Sequence, residues 1–354
     1  MSAGWESFVR ITRADAWQNP GTYGNRGFFL FADSVSPDMG GQETMRDNKL
    51  NGIRESDVKT YTVDRWYPKA DLTFQPRVDD ILPILAAHFQ MGTGTLGTYV
   101  FYRASKALNW GSNAGTKVDM LGTYPYSVNM DVYYGNLQGG GTGADTIRLT
   151  NGIVDKLTFT LKNGEDLKVT PTFKFFAGSY YAMPDAFLPQ SLYGSMSEYI
   201  QFVDYMGSLT LCFGSNVAAE SPDVLNFDGI SYDFNNNTGD RGRLGYAGWT
   251  RFPFSGRYSV EGEVNGELNR EFGKYIDGGT SGTVTFRVQT GTSWIQIESA
   301  QWRWKPKTLP ISSGDSIIEM TLPFKAYPPT GSSGPSTIIT VFTGTAFATL
   351  WLGI

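Results

Sequence analysis

Residues 153–176 read IVDKLTFTLKNGEDLKVTPTFKFF, and this stretch decides the predicted fold class. Residues 153–161 and 166–176 have the composition of strands, and the polar segment 162–165 joins them. The Asn-Gly pair at positions 163 and 164 is the strongest short-range signal for a hairpin, because both residue types accept the positive φ of a tight turn. The stretch therefore predicts two antiparallel strands and favours a β protein.

The composition of the whole chain agrees with this prediction. The 354 residues include 42 Gly, 17 Pro, 9 Trp, 19 Tyr and 23 Phe. Only 18% of the residues are charged, against about a quarter in typical domains. These values exclude a long-helix protein, a disordered chain and a collagen-like chain. At roughly 100–200 residues per domain, the length indicates two domains.

The rarest residue types narrow the possible chemistry. His88 is the only histidine and Cys212 the only cysteine, so one chain supplies neither a cluster of histidine ligands nor a disulfide. We therefore expect no metal site and no cofactor, and a single cysteine suits a reducing cytoplasm. Residues 1–6 lack the start of a secretory signal. A net charge of −5 argues against tight binding of nucleic-acid phosphates.

The first half of the chain predicts several strands, a long loop and one helix. Residues 33–60 are polar, rich in charge and glycine, and too long for an ordinary connection, which indicates a functional loop. Ile81, Leu85 and Phe89 have the spacing of one helical face. The other predicted strands of this half are 8–12, 27–31, 61–66, 70–74 and 126–133.

The second half repeats this order of elements. A polar loop at residues 226–248 takes the place of the first loop, and Leu268, Phe272 and Ile276 repeat the helical stripe. The predicted strands of this half are 209–213, 258–264 and 283–288, followed by a closing hairpin of 294–304 and 316–325.

We therefore predict a mostly β fold of two tandem β-sandwich or β-barrel domains, each with a short flanking helix and a long loop. The predicted parts are a first domain at 1–178, a junction segment at 179–197, a second domain at 198–330 and a C-terminal strand or arm at 331–354.

The C-terminal run 338–354 carries no charge. It is shorter than the roughly 20 residues of a membrane-spanning helix, and its β-branched and aromatic residues favour a strand. We predict a terminal strand with an extension that takes part in assembly, and no membrane anchor. The candidate residues of this assembly arm are Ile338, Val341, Phe342 and Phe347.

The chain offers one weak candidate for a catalytic pair. Glu261 and Glu263 lie two residues apart on a predicted strand and so share a face, like the acid pair of a jelly-roll glycosidase. An exposed strand face produces the same pattern, and His88 has no nearby serine or cysteine to activate. We therefore predict that the protein is not an enzyme.

Three passages carry a resemblance to a known family. They are the charged segment 45–49, the strand and helix at 70–89 with Asp79 and Asp80, and the closing block 150–157. The order of these elements resembles that of the major tail tube proteins of long-tailed, siphovirus-like bacteriophages. The resemblance covers most of the chain, twice over.

The resemblance implies a virion protein, assembled in the host cytoplasm, whose rings stack into the tail tube that delivers the genome. Members with one domain are expected to form hexameric rings, so two fused domains imply a homotrimer with six-fold-like symmetry. The implied partners are further copies of the chain and other tail proteins, namely the tape measure, terminator and distal tail proteins. Duplex DNA passes without tight binding, and no membrane is involved.

Two sets of charged residues are candidates for contacts within such a tube. The mixed charge of the loop at 33–60 suits a segment that orders against the next ring, and its candidate residues are Arg46, Asp47, Lys49, Arg54, Glu55 and Asp57. A neutral or acidic bore would not hold DNA, and the candidates on predicted strands are Asp71, Asp131, Glu261 and Glu263.

Two other functions stay open. The Trp and Tyr content suits a glycan-binding or receptor-binding β-sandwich of a virion, because aromatic faces stack on sugars. A jelly-roll enzyme is the third possibility. Electron microscopy separates the first two, since a tail tube protein forms tubes and a binding module forms discrete particles.

Overall fold

A computed structural model describes residues 8–14, 27–30, 32–39, 42–45, 61–64, 68–89, 92–95, 97–103, 127–133, 146–181, 200, 210–213, 228–238, 257–267, 279–281, 283–306, 319–328 and 334–343. These residues form 21 strands and one helix, which confirms the mostly β prediction. In chain order the elements are β1 (Phe8–Arg13), β2 (Gly27–Leu30), β3 (Ala32–Asp38), β4 (Gln42–Met45), β5 (Tyr61–Asp64), β6 (Lys69–Phe74), α1 (Ile81–Phe89), β7 (Gly92–Thr95), β8 (Thr98–Tyr102), β9 (Val128–Tyr133), β10 (Thr146–Lys162), β11 (Lys168–Lys174), β12 (Ala177–Tyr181), β13 (Thr210–Phe213), β14 (Gly229–Asn235), β15 (Ser259–Glu267), β16 (Gly279–Ser281), β17 (Val284–Thr290), β18 (Ser293–Ser299), β19 (Gln301–Trp304), β20 (Glu319–Tyr327) and β21 (Thr337–Phe342).

The largest feature is a sheet of nine antiparallel strands, here called the long sheet, in the order β16-β19-β20-β15-β14-β10-β11-β6-β3. It contains two units of four strands, a first unit (β3, β6, β10, β11) and a second unit (β14, β15, β19, β20). The strands of the first unit lie side by side in the order β3-β6-β11-β10, and those of the second unit in the order β14-β15-β20-β19. In both units the third and fourth strands along the chain are therefore exchanged in the sheet. The topology of the chain therefore repeats, and β10 of the first unit pairs directly with β14 of the second.

Two smaller sheets repeat in the same way. A side sheet has the order β2-β1-β9-β10-β12, and a second sheet has the order β13-β17-β18-β21-β8-β7. β1, β9, β10 and β12 therefore correspond in order to β13, β17, β18 and β21. Strands from both halves of the chain share the long sheet and the second sheet, so the predicted domain bounds at 178 and 198 stay a prediction.

The long strand β10 belongs to both the side sheet and the long sheet, because it bends near its middle. Asn151 has a φ of 55°, and the pairing of β10 with β9 shifts register between Leu149 and Gly152. A Cβ atom at Gly152 would lie 2.3 Å from the ring of Phe175, so only glycine fits this position.

Aromatic side chains fill the space between the long sheet and the second sheet. The ring of Tyr232 on β14 lies 5.9 Å from that of Phe286 on β17, between ring centroids. Its other neighbours come from the long sheet, with Trp302 at 5.6 Å and Phe324 at 5.2 Å. These contacts join the two sheets into one core.

Helix α1 is buried along its whole length. The turn before it is closed by Arg77, whose Nε atom donates to Asp80 Oδ2 at 2.8 Å. Asp79 Oδ1 accepts a hydrogen bond of 2.6 Å from Thr343, which ties the helix start to the end of β21. Among the described residues, no helix is long and apolar enough to cross a membrane.

Several local predictions are confirmed. The helix begins at Ile81 and ends at Phe89, and the strands on either side of Asn163 and Gly164 pair as a hairpin. Of these two turn residues only Gly164 has a positive φ, of 78°. The closing hairpin of the second half is present in part. The predicted strand 294–304 divides into β18 and β19, and only β19 pairs with β20, because β18 pairs with β17 and β21.

Both predicted long loops need correction. All of β3 except Ala32 lies within residues 33–60, as does β4, and β14 lies within residues 226–248. β3 was not predicted because most of its side chains are exposed, so its sequence lacks the alternation of apolar and polar residues that indicates a strand. The second helical stripe of Leu268, Phe272 and Ile276 lies outside the described residues.

Candidate assembly interface

One surface of the long sheet is covered by polar side chains, and we call it the polar face. It arises because alternate residues of each strand point away from the core, as in β20, where Met320, Leu322 and Phe324 are buried and the residues between them are partly exposed. Six polar-face residues lie opposite one another from strand to strand: Arg303, Lys325, Glu261, Asp233, Thr158 and Thr170.

Three of the four charged residues of this row, Lys325, Glu261 and Asp233, form ion pairs. Glu261 accepts hydrogen bonds from Lys325 at 2.6 Å and from Lys305 at 3.0 Å. These two bonds hold the pKa of the Glu261 carboxyl below its ordinary value. A glycosidase acid needs a raised pKa, so the environment of Glu261 is the opposite of what that role requires.

Three of the predicted acidic candidates share the polar face. Asp71 and Glu263 are exposed, and Glu261 is partly exposed. Asp71 lies opposite Thr172, and Glu263 lies opposite Pro323. Because Thr172 and Pro323 each precede a buried Phe, Asp71 and Glu263 occupy equivalent positions in the two units.

Asp131 does not join them. It lies on β9 in the side sheet, and its side chain is 1% exposed between Arg10 at 2.6 Å and Arg148 at 2.7 Å. The three residues lie opposite one another on β1, β9 and β10. Alternation gives a strand two faces, and the sequence pattern does not say which face is exposed. The grouping of Asp131 with the other acids is therefore corrected.

The two units meet at the β10–β14 junction, which comprises seven residue pairs from Lys156–Asn235 to Lys162–Gly229. On the polar face Asp233 Oδ1 accepts a hydrogen bond of 2.6 Å from Thr158 and lies 3.3 Å from Lys156 Nζ. Both ends of this ion pair are partly exposed. The junction thus combines backbone pairing with a charge contact.

Beyond the strand ends, a buried polar cluster continues the junction. The Nδ2 atom of Asn236 donates to the carbonyl groups of His88 at 2.9 Å and Val154 at 3.0 Å. His88 Nδ1 lies 3.1 Å from the same Val154 carbonyl. Burial, reinforced by the charge of Arg103, lowers the pKa of His88 to about 3. His88 is therefore a neutral structural residue that joins α1 to both units.

The two ends of the long sheet differ. Among the described residues, no strand pairs with the outer edge of β3, where Asp33, Ser34, Ser36 and Asp38 are exposed. At the other end β16 covers β19 from Trp302 to Trp304. An uncovered strand edge is a template for pairing with another chain.

The predicted assembly arm is part of the second sheet. β21 lies between β18 and β8 and pairs with both. Val341 is fully buried, and the ring of Phe342 stacks on Trp294. Residues Ile338–Phe342 therefore offer no open edge to another chain, and β1 is likewise paired on both sides. Phe347 lies outside the described residues.

The six candidates for ring stacking also lie outside the described residues: Arg46, Asp47, Lys49, Arg54, Glu55 and Asp57. The strands on either side of them, β4 and β5, pair with each other as a two-stranded sheet. No group of three metal-ligating side chains occurs in the described part of the chain.

A repeated sequence pattern was missed by the sequence analysis. In the first unit Pro37 lies opposite Ala70, which in turn lies opposite Phe173. In the second unit Tyr232 lies opposite Gly262, which in turn lies opposite Phe324. These three residues of one unit are therefore equivalent to the three of the other. The matching segments read DSVSPDM at 33–39 and DGISYDF at 228–234. A spacing of Asp, two residues, Ser, one residue and Asp was the available signal. The sequence matches no model of a known protein family and no curated protein.

Proposed function

We propose that the protein is a structural virion protein whose rings stack into the tail tube of a long-tailed bacteriophage, the conduit for genome delivery. The observation that carries this proposal is the β10–β14 junction, where two units of one topology pair edge to edge. The outer edge of β3, which no described strand covers, is equivalent to the edge that β14 uses at this junction. A further copy can therefore continue the sheet in the same direction.

A head-to-tail contact of this kind closes into a ring when its rotation divides a full turn. Each chain contributes two units, so three chains supply six. We propose a homotrimeric ring on this basis, in line with the resemblance of the sequence to tail tube proteins. Sheet pairing around a closed ring removes the open edge that a single chain exposes.

The polar face of the long sheet would line the bore. Three lysines of this face, Lys156, Lys305 and Lys325, are paired with Asp233 or Glu261, while Asp71 and Glu263 stay exposed. Paired lysines are less available to DNA phosphates and exposed carboxylates repel them, so duplex DNA would slide through the tube. The proposal involves no catalytic step and no cofactor.

Contacts along the tube axis would come from the segment between β4 and β5, which contains the predicted ring-stacking residues. The ends of the tube would bind other tail proteins, namely the tape measure, terminator and distal tail proteins. The site of assembly would be the host cytoplasm, and the final location the virion.

Negative-stain electron microscopy of the purified full-length chain tests the proposal. We expect rings or tubes with an axial repeat of stacked rings. A protein that stays monomeric at high concentration, across a range of salt concentrations and without added partners, would contradict it.

A glycan-binding role is the second candidate, and one observation favours it. On the outer face of the second sheet the guanidinium of Arg287 lies 4.5 Å from the ring centroid of Trp294, which also stacks on Phe342. Aromatic rings with an adjacent polar group can bind a sugar ring. A glycan array with wild type and Trp294→Ala distinguishes this role, since specific binding lost in the variant would support it.

A further inference from the structure

The contact that joins the two units within one chain has an equivalent pair of residues at the two ends of the long sheet. Asp38 on β3 is equivalent to Asp233 on β14. Asp38 lies opposite Lys69, the residue before Ala70, and Asp233 lies opposite Glu261, the residue before Gly262. Ala70 and Gly262 are themselves equivalent. Asp38 is exposed at the outer edge of the sheet.

Lys305 corresponds in the same way to Lys156. Lys156 lies opposite Thr172, and the backbone N–H of Lys305 donates to the carbonyl of Pro323. Thr172 and Pro323 are equivalent, because each precedes the matching residue Phe173 or Phe324. Lys305 is exposed and follows directly after the part of β19 that β16 covers.

We infer that Asp38 of one copy forms an ion pair with Lys305 of a second copy, as Asp233 does with Lys156 inside each chain. The occupant of the β3 edge is thus a second copy of this chain, with its β19 end beside β3. This inference rests on the proposed function and adds to it the residues that select the partner edge.

The present contacts of Lys305 permit this change of partner. Lys305 Nζ lies 3.0 Å from Glu261, and the two side chains are 50% and 39% exposed. Exposed ion pairs contribute little to stability, so rotation of Lys305 toward the outer edge costs little. Lys325 remains on Glu261 at 2.6 Å and keeps its charge balanced.

Charge reversal tests the pair. We expect Asp38→Lys and Lys305→Asp each to raise the protein concentration for half-maximal assembly about tenfold, since a like-charge contact replaces an attractive one. The double variant D38K/K305D restores the attraction with reversed polarity and should assemble within about threefold of wild type. Asp71→Lys is the matched control, because it makes the same change on the same face, on β6, one strand in from the edge.

Mixing the two single variants tests whether the ring contains an even or an odd number of chains. Every contact between a D38K chain and a K305D chain is attractive in both directions, whereas contacts between identical variants are repulsive. A ring with an even number of chains can alternate them throughout, and a trimer retains one repulsive contact. We therefore expect the mixture to form mixed dimers readily but to assemble less well than the double variant.

Sedimentation velocity measures the assembly, and circular dichroism checks that each variant is folded. D38K assembly equal to wild type, or a double variant as impaired as the single variants, would overturn the pairing while leaving the proposed tube intact. A wild-type chain that forms no oligomer would overturn the proposed function and this inference together.

Discussion

Lys156 and Asp233 form an ion pair of 3.3 Å across the line where two units of the same topology meet. Thr158 donates a hydrogen bond to the same carboxylate at 2.6 Å. The side chains of Lys156 and Thr158 on β10 therefore both contact the carboxylate of Asp233 on the polar face.

Replacing Asp233 with alanine should lower the free energy of unfolding by about 1 kcal/mol, the scale of one partly exposed hydrogen bond with a weak ion pair. Urea denaturation followed by fluorescence measures the change. Asp71→Ala, at an exposed position on the same face, should change the free energy by less than about 0.5 kcal/mol. Equal effects of the two variants would show that the junction gains nothing from Asp233.

His88 should make stability depend on pH. Its pKa is about 3 in the folded chain, against an ordinary value of 6.5. Between these values the unfolded chain binds a proton that the folded chain does not, so stability falls as pH falls, by about 1.4 kcal/mol per pH unit. Above pH 6.5, His88 is neutral in both the folded and the unfolded chain, so it no longer lowers the free energy of unfolding.

The variant His88→Asn isolates this effect, because its amide can replace the Nδ1 donor toward Val154 without titrating. Thermal unfolding at pH 6, 5 and 4 should show a steeper loss of stability in wild type than in the variant. The difference between the two slopes is the measured quantity, which cancels contributions from other groups. Parallel curves would mean that His88 does not titrate on unfolding.

β21 should be required for folding of the chain and not only for its assembly. Val341 is fully buried in this strand, so Val341→Asp places an unpaired charge in the core and should destabilise the chain by about 3 kcal/mol or more. Thr340→Asp is the matched control on the opposite, partly exposed face of the strand. Circular dichroism melting should show a large loss for the first variant and a small one for the second.

Tubes of the wild-type chain should not retard duplex DNA at low ionic strength, where the Debye length is about 30 Å at 0.01 M salt and attraction is strongest. Replacing Asp71 and Glu263 with lysine would remove two negative charges and add two positive charges per chain on the polar face. The tubes should then bind DNA, and the binding should weaken steeply as salt is added. Retardation by wild-type tubes would contradict the assignment of this face to the bore.

The sequence was most informative where a local signal and the tertiary structure agree. The Gly164 turn, α1 and the strands that surround the core were predictable, because apolar spacing and turn residues identify them. β3 was assigned to a loop because most of its residues are polar. β14 does alternate Ile230, Tyr232 and Phe234 with polar residues, but the Asn- and Gly-rich sequence around it favoured a loop. β14 is held by partners on both sides, and pairing of this kind depends on residues far away in the chain.

The candidate site was predictable in part for the same reason. Asp71, Glu261 and Glu263 do share one face, since strand alternation places them correctly within each strand. Asp131 was misplaced because nothing near it in sequence announces Arg10, which lies on a strand more than 100 residues away. Lys305 and Asp38 could not be singled out from the sequence, because only the register of the strands shows that they are equivalent to Lys156 and Asp233.

The β7–β8 hairpin has a thermodynamic consequence for the whole chain. It comes from the first half but pairs with β21 through five residue pairs from Tyr102–Ile338 to Thr98–Phe342. Separating the halves must therefore break the second sheet and the β10–β14 junction at the same time. The two units, although they repeat one topology, should melt as one cooperative block, with a calorimetric enthalpy equal to the van't Hoff enthalpy.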